Sequence, residues 1–169
     1  SCLGALAKAL QNGELSAPAV ATLRAAMAEP VSEILSGSKD DPLYPSALTT
    51  AAGWHDVKAL DEASRLLLDP EEQPARRKWG LRAVLASRDA AAIEAAAAIL
   101  KSPGASDDLV RDVLAGLGNL DSPAVPSAVL GALEGMPFAL KSQAADLLTQ
   151  RPAWAAALLD AVESKRIDR

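Results

Sequence analysis

Cysteine, histidine and aromatic residues are nearly absent: a chain of 169 residues carries one Cys, one His, one Tyr, one Phe and three Trp. With Cys2 alone no intramolecular disulfide can form, although that leaves the compartment open. With His55 alone there is no second imidazole for a His-based metal site. The few aromatics argue against a strand-rich fold, which draws on β-branched and aromatic side chains. No run reaches the roughly 18 apolar residues that cross a bilayer; the most apolar stretch, Ala90 to Leu100, is broken by Glu94. Basic excess is missing too. A net charge of -5 and a pI near 4.9 argue against a nucleic-acid partner, which calls for a basic surface. Phosphate-binding Gly-rich loops, Gly-x-Ser-x-Gly elbows and paired Cys spacings do not occur, so neither a catalytic nor a cofactor or metal site is expected.

What the chain does have is alanine, 37 residues of it, the residue with the lowest cost of helix formation. It also has a period. Asp56, Asp89 and Asp121 each close one apolar stretch and open the next, 33 and 32 residues apart. Leu48, Leu81 and Val113 stand eight residues before them, and Leu60, Ile93 and Val125 four residues after. Pro70, Pro103 and Pro137 break each unit again, because proline lacks the amide hydrogen and pushes its predecessor out of helical geometry. Each unit is therefore two helices.

The pattern predicts helices near 2–12, 17–28, 31–37, 43–53, 57–68, 73–87, 90–101, 106–118, 123–134, 138–150 and 152–165. Pro30 divides the second from the third, and Ser36 to Pro42 forms a turn-rich joint. Leu60, Ala63 and Leu67, like Ile93, Ala96 and Leu100, make the single apolar stripe of an outer helix. Leu81, Val84 and Leu85 lie opposite Trp79, Ala83 and Ala86, so this helix should be buried on two sides. The fold class expected is all-α: one domain over residues 1–169, a right-handed α-solenoid of HEAT-like antiparallel helix pairs, with about ten or eleven helices. The opening Ser1-Cys-Leu-Gly-Ala-Leu, without an initiator Met or a basic leader, suggests a piece of a larger protein.

The residues that might carry chemistry have structural readings. His55, in Gly53-Trp54-His55-Asp56, fits a solvated turn histidine. Cys2 fits a small hydrophobe on an apolar helix face. The pairs Asp40-Asp41, Glu71-Glu72 and Asp107-Asp108 fall at turns or helix starts, where free amides and the helix dipole favour carboxylates. The three Trp do not alternate with basic residues and are expected to pack in the core. Arg76-Arg77-Lys78, with Arg82 one turn on, is the basic cluster of note; it is either a solvated, partly paired face or a binding patch. Together with Arg111 and Lys141 on other inner helices, these residues form the candidate partner surface.

The stretch Arg82-Ala-Val-Leu-Ala-Ser-Arg-Asp89 followed by Ala90-Ala-Ala-Ile-Glu-Ala-Ala-Ala-Ala-Ile-Leu100 resembles the inner helix, tight turn and outer helix of a HEAT-like repeat. The likeness extends over residues 43 to 165, with a repeat shorter than the usual HEAT unit. The ending from Gln150 to Ile167, opening Gln150-Arg-Pro-Ala-Trp154, resembles the last repeat of planctomycete-type membrane-associated dehydrogenase-like haem proteins. That resemblance implies an extracytoplasmic or periplasmic redox protein in which this segment spaces other domains. The family's Cys-x-x-Cys-His motif is absent, so no haem role passes to any residue here. The function expected is a non-catalytic scaffold holding a protein partner or neighbouring domains of the same chain.

Overall fold

The computed structural model describes residues 2–164 and contains, among them, ten α-helices and no strand. The chain divides into two compact units, Ser1–Asp89 and Ala90–Arg169. No helix is long and apolar enough to cross a membrane among the described residues.

The first unit holds α1 (Cys2–Asn12), α2 (Ala17–Ser36), α3 (Tyr44–Gly53), α4 (Val57–Leu68) and α5 (Pro74–Ser87). Its centre is α3, which packs against α1, α2, α4 and α5. Seven of the ten α3 residues are buried, and five of those are Ala or Thr, small enough to admit neighbours on several sides. Helix α5 is buried on two sides as its pattern predicts, with Leu81, Val84 and Leu85 on one face and Ala83 and Ala86 on another. Gly80 lets α4 and α5 touch backbone to backbone: a Cβ there would stand 2.5 Å from the Ala63 carbonyl oxygen and 2.7 Å from the Leu67 nitrogen.

The expected break at Pro30 does not occur. Helix α2 runs unbroken through it, so the two predicted helices 17–28 and 31–37 are one and the count is ten. The proline removes one backbone bond and crowds the preceding turn, but Pro30 itself faces solvent while Val31 is only 2 % exposed. Packing along Val20, Leu23, Met27, Val31 and Ile34, at helical spacing on one side, holds the helix together. The other predicted boundaries agree with the helices to within two residues, and the predicted end at 165 lies outside the described part.

The second unit holds α6 (Ala90–Lys101), α7 (Asp107–Gly118), α8 (Ala124–Leu133), α9 (Phe138–Thr149) and α10 (Pro152–Glu163). Here α6 packs on α7 and α8, α7 on α9, and α8 and α9 on α10. The periodic apolar positions line the cores of their units: Leu48, Leu81, Val113, Ile93 and Val125 are buried, and Leu60 half-buried.

The turns explain the period in the sequence. After α3 the Asp56 amide donates to the Ala51 carbonyl at 3.0 Å and the His55 amide to the Ala52 carbonyl at 2.9 Å. This is the left-handed helix stop usually given to glycine, and His55 takes it with φ 58°. Asp56 then caps α4, accepting from the Ala59 amide at 3.0 Å. One period later Arg88 has φ 56°, with α6 beginning directly after Asp89. The third marker differs. Asn119 ends α7 in right-handed geometry, and Asp121 bonds Arg151 instead of capping.

Candidate functional site

Charged side chains collect at one end of α4 and α5 in the first unit. Glu62 on α4 accepts from Arg65 Nε at 3.0 Å and Nη2 at 3.1 Å, and from Lys39 Nζ in the joint before α3. Arg65 also stands 3.5 Å from Glu72 and 3.9 Å from Asp69. Arg76 on α5 bonds Asp40 at 3.0 Å and lies 3.8 Å from Glu72. The hydrogen bonds from Arg65, and then that from Lys39, lower the Glu62 carboxyl to about 2 against the opposing effect of burial, and the hydrogen bond to Glu62 raises Arg65. Glu62 is therefore ionised throughout the neutral range and has no proton to give as a general acid. Burial raises the neighbouring Tyr44 hydroxyl, with the Glu62 charge adding to it.

This arrangement sorts the basic cluster. Arg76 belongs to the ion-pair network. Arg77 is a correction to the candidate partner surface: it is only 8 % exposed, and its Nε donates to the Leu67 carbonyl at 3.1 Å, tying α5 to the end of α4. Successive residues on a helix point about 100° apart, so three adjacent cations cannot share one face. Lys78 is half-buried and Arg82 exposed. In the second unit, exposed Arg111 bonds Asp108 at 2.6 Å, and half-buried Lys141 lies on α9, which packs against Arg111's helix α7.

Arg82 has a different neighbourhood. A cleft of about 400 Å³ opens between α1, α3 and α5. Helix α1 contributes Lys8, Gln11 and Asn12, helix α3 contributes Ser46 and Thr49, and helix α5 contributes Trp79 and Arg82. Trp79 is half-buried, its ring centroid 6.5 Å from that of Tyr44, so it forms a wall of the cleft where core burial was expected. Trp54 and Trp154 are buried as expected. Thr49 is spoken for locally, its hydroxyl donating to the Pro45 carbonyl at 2.9 Å, and Asn12 donates to Glu14 at 2.7 Å.

A second cleft, of about 340 Å³, lies between α7 and α9 and is lined by Gln143, Asp146 and Gln150 among others. It has an acidic residue and no cation among its described lining residues. Near it, Arg151 bonds Asp121 at 2.6 Å and the Gly118 carbonyl at 3.3 Å, and its guanidinium lies 4.6 Å from the Trp154 ring centroid. In the segment Gln150-Arg-Pro-Ala-Trp154, Arg151 and Trp154 thus fasten the start of α10 to the end of α7; the segment's last residues, 165–167, lie outside the described part.

The remaining candidates have structural roles or none. His55 is exposed at its turn, 3.7 Å from an Asp89 oxygen. Cys2 is exposed, a correction to its expected packing: the buried face of α1 is Leu3, Ala7 and Leu10, and Cys2 is out of phase with it. Asp41 accepts from the Leu43 amide at 2.7 Å, and Asp107 and Asp108 occupy the first turn of α7. The sequence reading missed Lys8, whose signal is slight: it is the single cation of α1, next in line to the buried Ala7.

No protein-family model, no curated protein and no solved structure matches this chain.

Proposed function

We propose that the chain is a non-catalytic scaffold, a right-handed stack of HEAT-like antiparallel helix pairs that holds a protein partner or neighbouring domains of the same chain. The observation that carries this reading is the packing of helices two apart in sequence. In the first unit α1 meets α3 and α3 meets α5; in the second α6 meets α8, α8 meets α10 and α7 meets α9. Short helices that pack on the next but one are what stacked pairs require, and stacked pairs present extended surfaces to partners. Exposed apolar side chains such as Val57 at 71 %, Phe138 at 86 % and Leu159 at 62 % add contact area of the kind interfaces use.

The test is capture of a protein by the tagged full chain, repeated with single alanine substitutions at exposed cations. Arg82→Ala in the first unit, or Arg111→Ala or Lys141→Ala in the second, should weaken capture while leaving the helical circular dichroism unchanged. Undiminished capture in all three removes the cations of α5, α7 and α9 from the interface. A chain that retains no partner removes the scaffold.

A further inference from the structure

The cleft between α1, α3 and α5 combines features that the cleft between α7 and α9 lacks. It is lined by two cations, Lys8 and Arg82, and by no carboxylate, in a chain whose net charge is -5. Three other cations of the unit, Lys39, Arg65 and Arg76, are neutralised by Glu62, Glu72 and Asp40. Lys8 and Arg82 have no ion-pair partner among the described residues. With no carboxylate among the residues lining the cleft, both cations are available to an incoming anion.

The shape narrows the class of ligand. Gly4, Ala7, Lys8 and Gln11 line the cleft at helical spacing, so one face of α1 runs along it for about 10 Å at 1.5 Å per residue. That is the length of about three residues of extended chain. Trp79, one turn before Arg82 on α5, supplies a flat apolar wall already fixed against Tyr44. Gln11 and Ser46 offer both donors and acceptors, which suit a peptide backbone. A long polyanion is disfavoured by the net negative charge of the chain, whereas a short acidic segment reaches only the cleft.

We propose that this cleft binds an acidic peptide segment of a partner protein, with its carboxylates on Lys8 and Arg82 and an intervening apolar side chain against Trp79. The proposal rests on the scaffold reading for its partner and on the cleft alone for its chemistry.

The experiment is a fluorescence-anisotropy titration of the full chain, at low salt, with a fluorescein-labelled hexapeptide whose core is Glu-Leu-Glu, against the same peptide with Gln-Leu-Gln. The acidic peptide should bind about tenfold tighter, and Lys8→Gln or Arg82→Gln should each weaken it about fivefold by removing one charge contact. Arg82→Lys should retain most of the affinity, and Arg111→Gln, in the other unit, all of it. Equal binding of the two peptides, or affinity unmoved by both charge removals, overturns the assignment even where a partner is captured. A chain that captures no partner but binds the acidic peptide through Lys8 and Arg82 keeps the cleft and loses the scaffold.

Discussion

Among the described residues, the unit Ser1–Asp89 holds the buried polar side chains and the unit Ala90–Arg169 an apolar core. Thr49, Thr50, Arg77 and Ser87 are the buried polar or charged residues among those described, and all four belong to the first unit. Three of them bond backbone carbonyls: Thr49 to Pro45, Arg77 to Leu67 and Ser87 to Val84. Thr50 Oγ1 and Trp54 Nε1 are buried with no hydrogen-bond partner among the described residues, which costs about 1–3 kcal/mol for each group. In the second unit α6 is built from seven alanines in twelve residues and its charges stay at the surface. Apolar packing tolerates exchange of similar volumes, whereas a polar contact is lost with a single atom. The first unit should therefore be the more specific in its geometry, and through the lowered Glu62 carboxyl the more sensitive to acid.

The largest effects should leave the comparison untouched, because apolar burial serves both units alike. Leu81→Ala in α5 and Ile93→Ala in α6 should each cost about 2–5 kcal/mol in denaturant unfolding by opening a core cavity; both side chains are 5 % exposed or less. A loss below about 0.5 kcal/mol at both would put the periodic positions outside the core.

Backbone proximity comes next and separates the units. Gly80→Ala should cost about 1–3 kcal/mol, since the new Cβ meets main-chain atoms of α4 that cannot turn aside. Gly131→Ala in α8 meets nothing nearer than the Lys101 side chain at 3.6 Å and should gain up to about 1 kcal/mol from helix propensity. Equal melting temperatures for the two variants would break the contrast.

The third effect is electrostatic. Glu62 is lowered from 4.5 to about 2 in the folded chain, so its contribution is complete above the unfolded value and disappears as the pH falls through about 2. Its partners Arg65 and Lys39 are 47 % and 41 % exposed, and solvent screening leaves about 1–2 kcal/mol of the shift as stability. Glu62→Gln should lose that amount at pH 7 and flatten the acid limb of the stability curve between pH 5 and 2. An unchanged acid limb would place the pH sensitivity of the first unit elsewhere.

Helix positions were legible because their signals are local. Alanine content, apolar phase, and the Pro and Asp breaks act within a turn or two. Pro30 shows where a local rule stops: the break is overridden by an apolar face that continues on both sides of it. Arg77 shows another limit. Sequence counts three adjacent cations, while helical rotation turns the middle one inward to a carbonyl ten residues away. The cleft was the least legible feature, since Lys8 and Arg82 stand 74 residues apart and no spacing rule joins them.

By itself the sequence determined an all-helical chain, the approximate ends of its helices and the phase of its buried faces, since each follows from short-range backbone sterics and from side chains repeating at the helical period. Tertiary structure decided which cations are buried, paired or left free, and that the first helix and the fifth share a cleft. Those outcomes depend on which faces meet, and a helix with apolar residues on two sides permits more than one neighbour until packing selects among them.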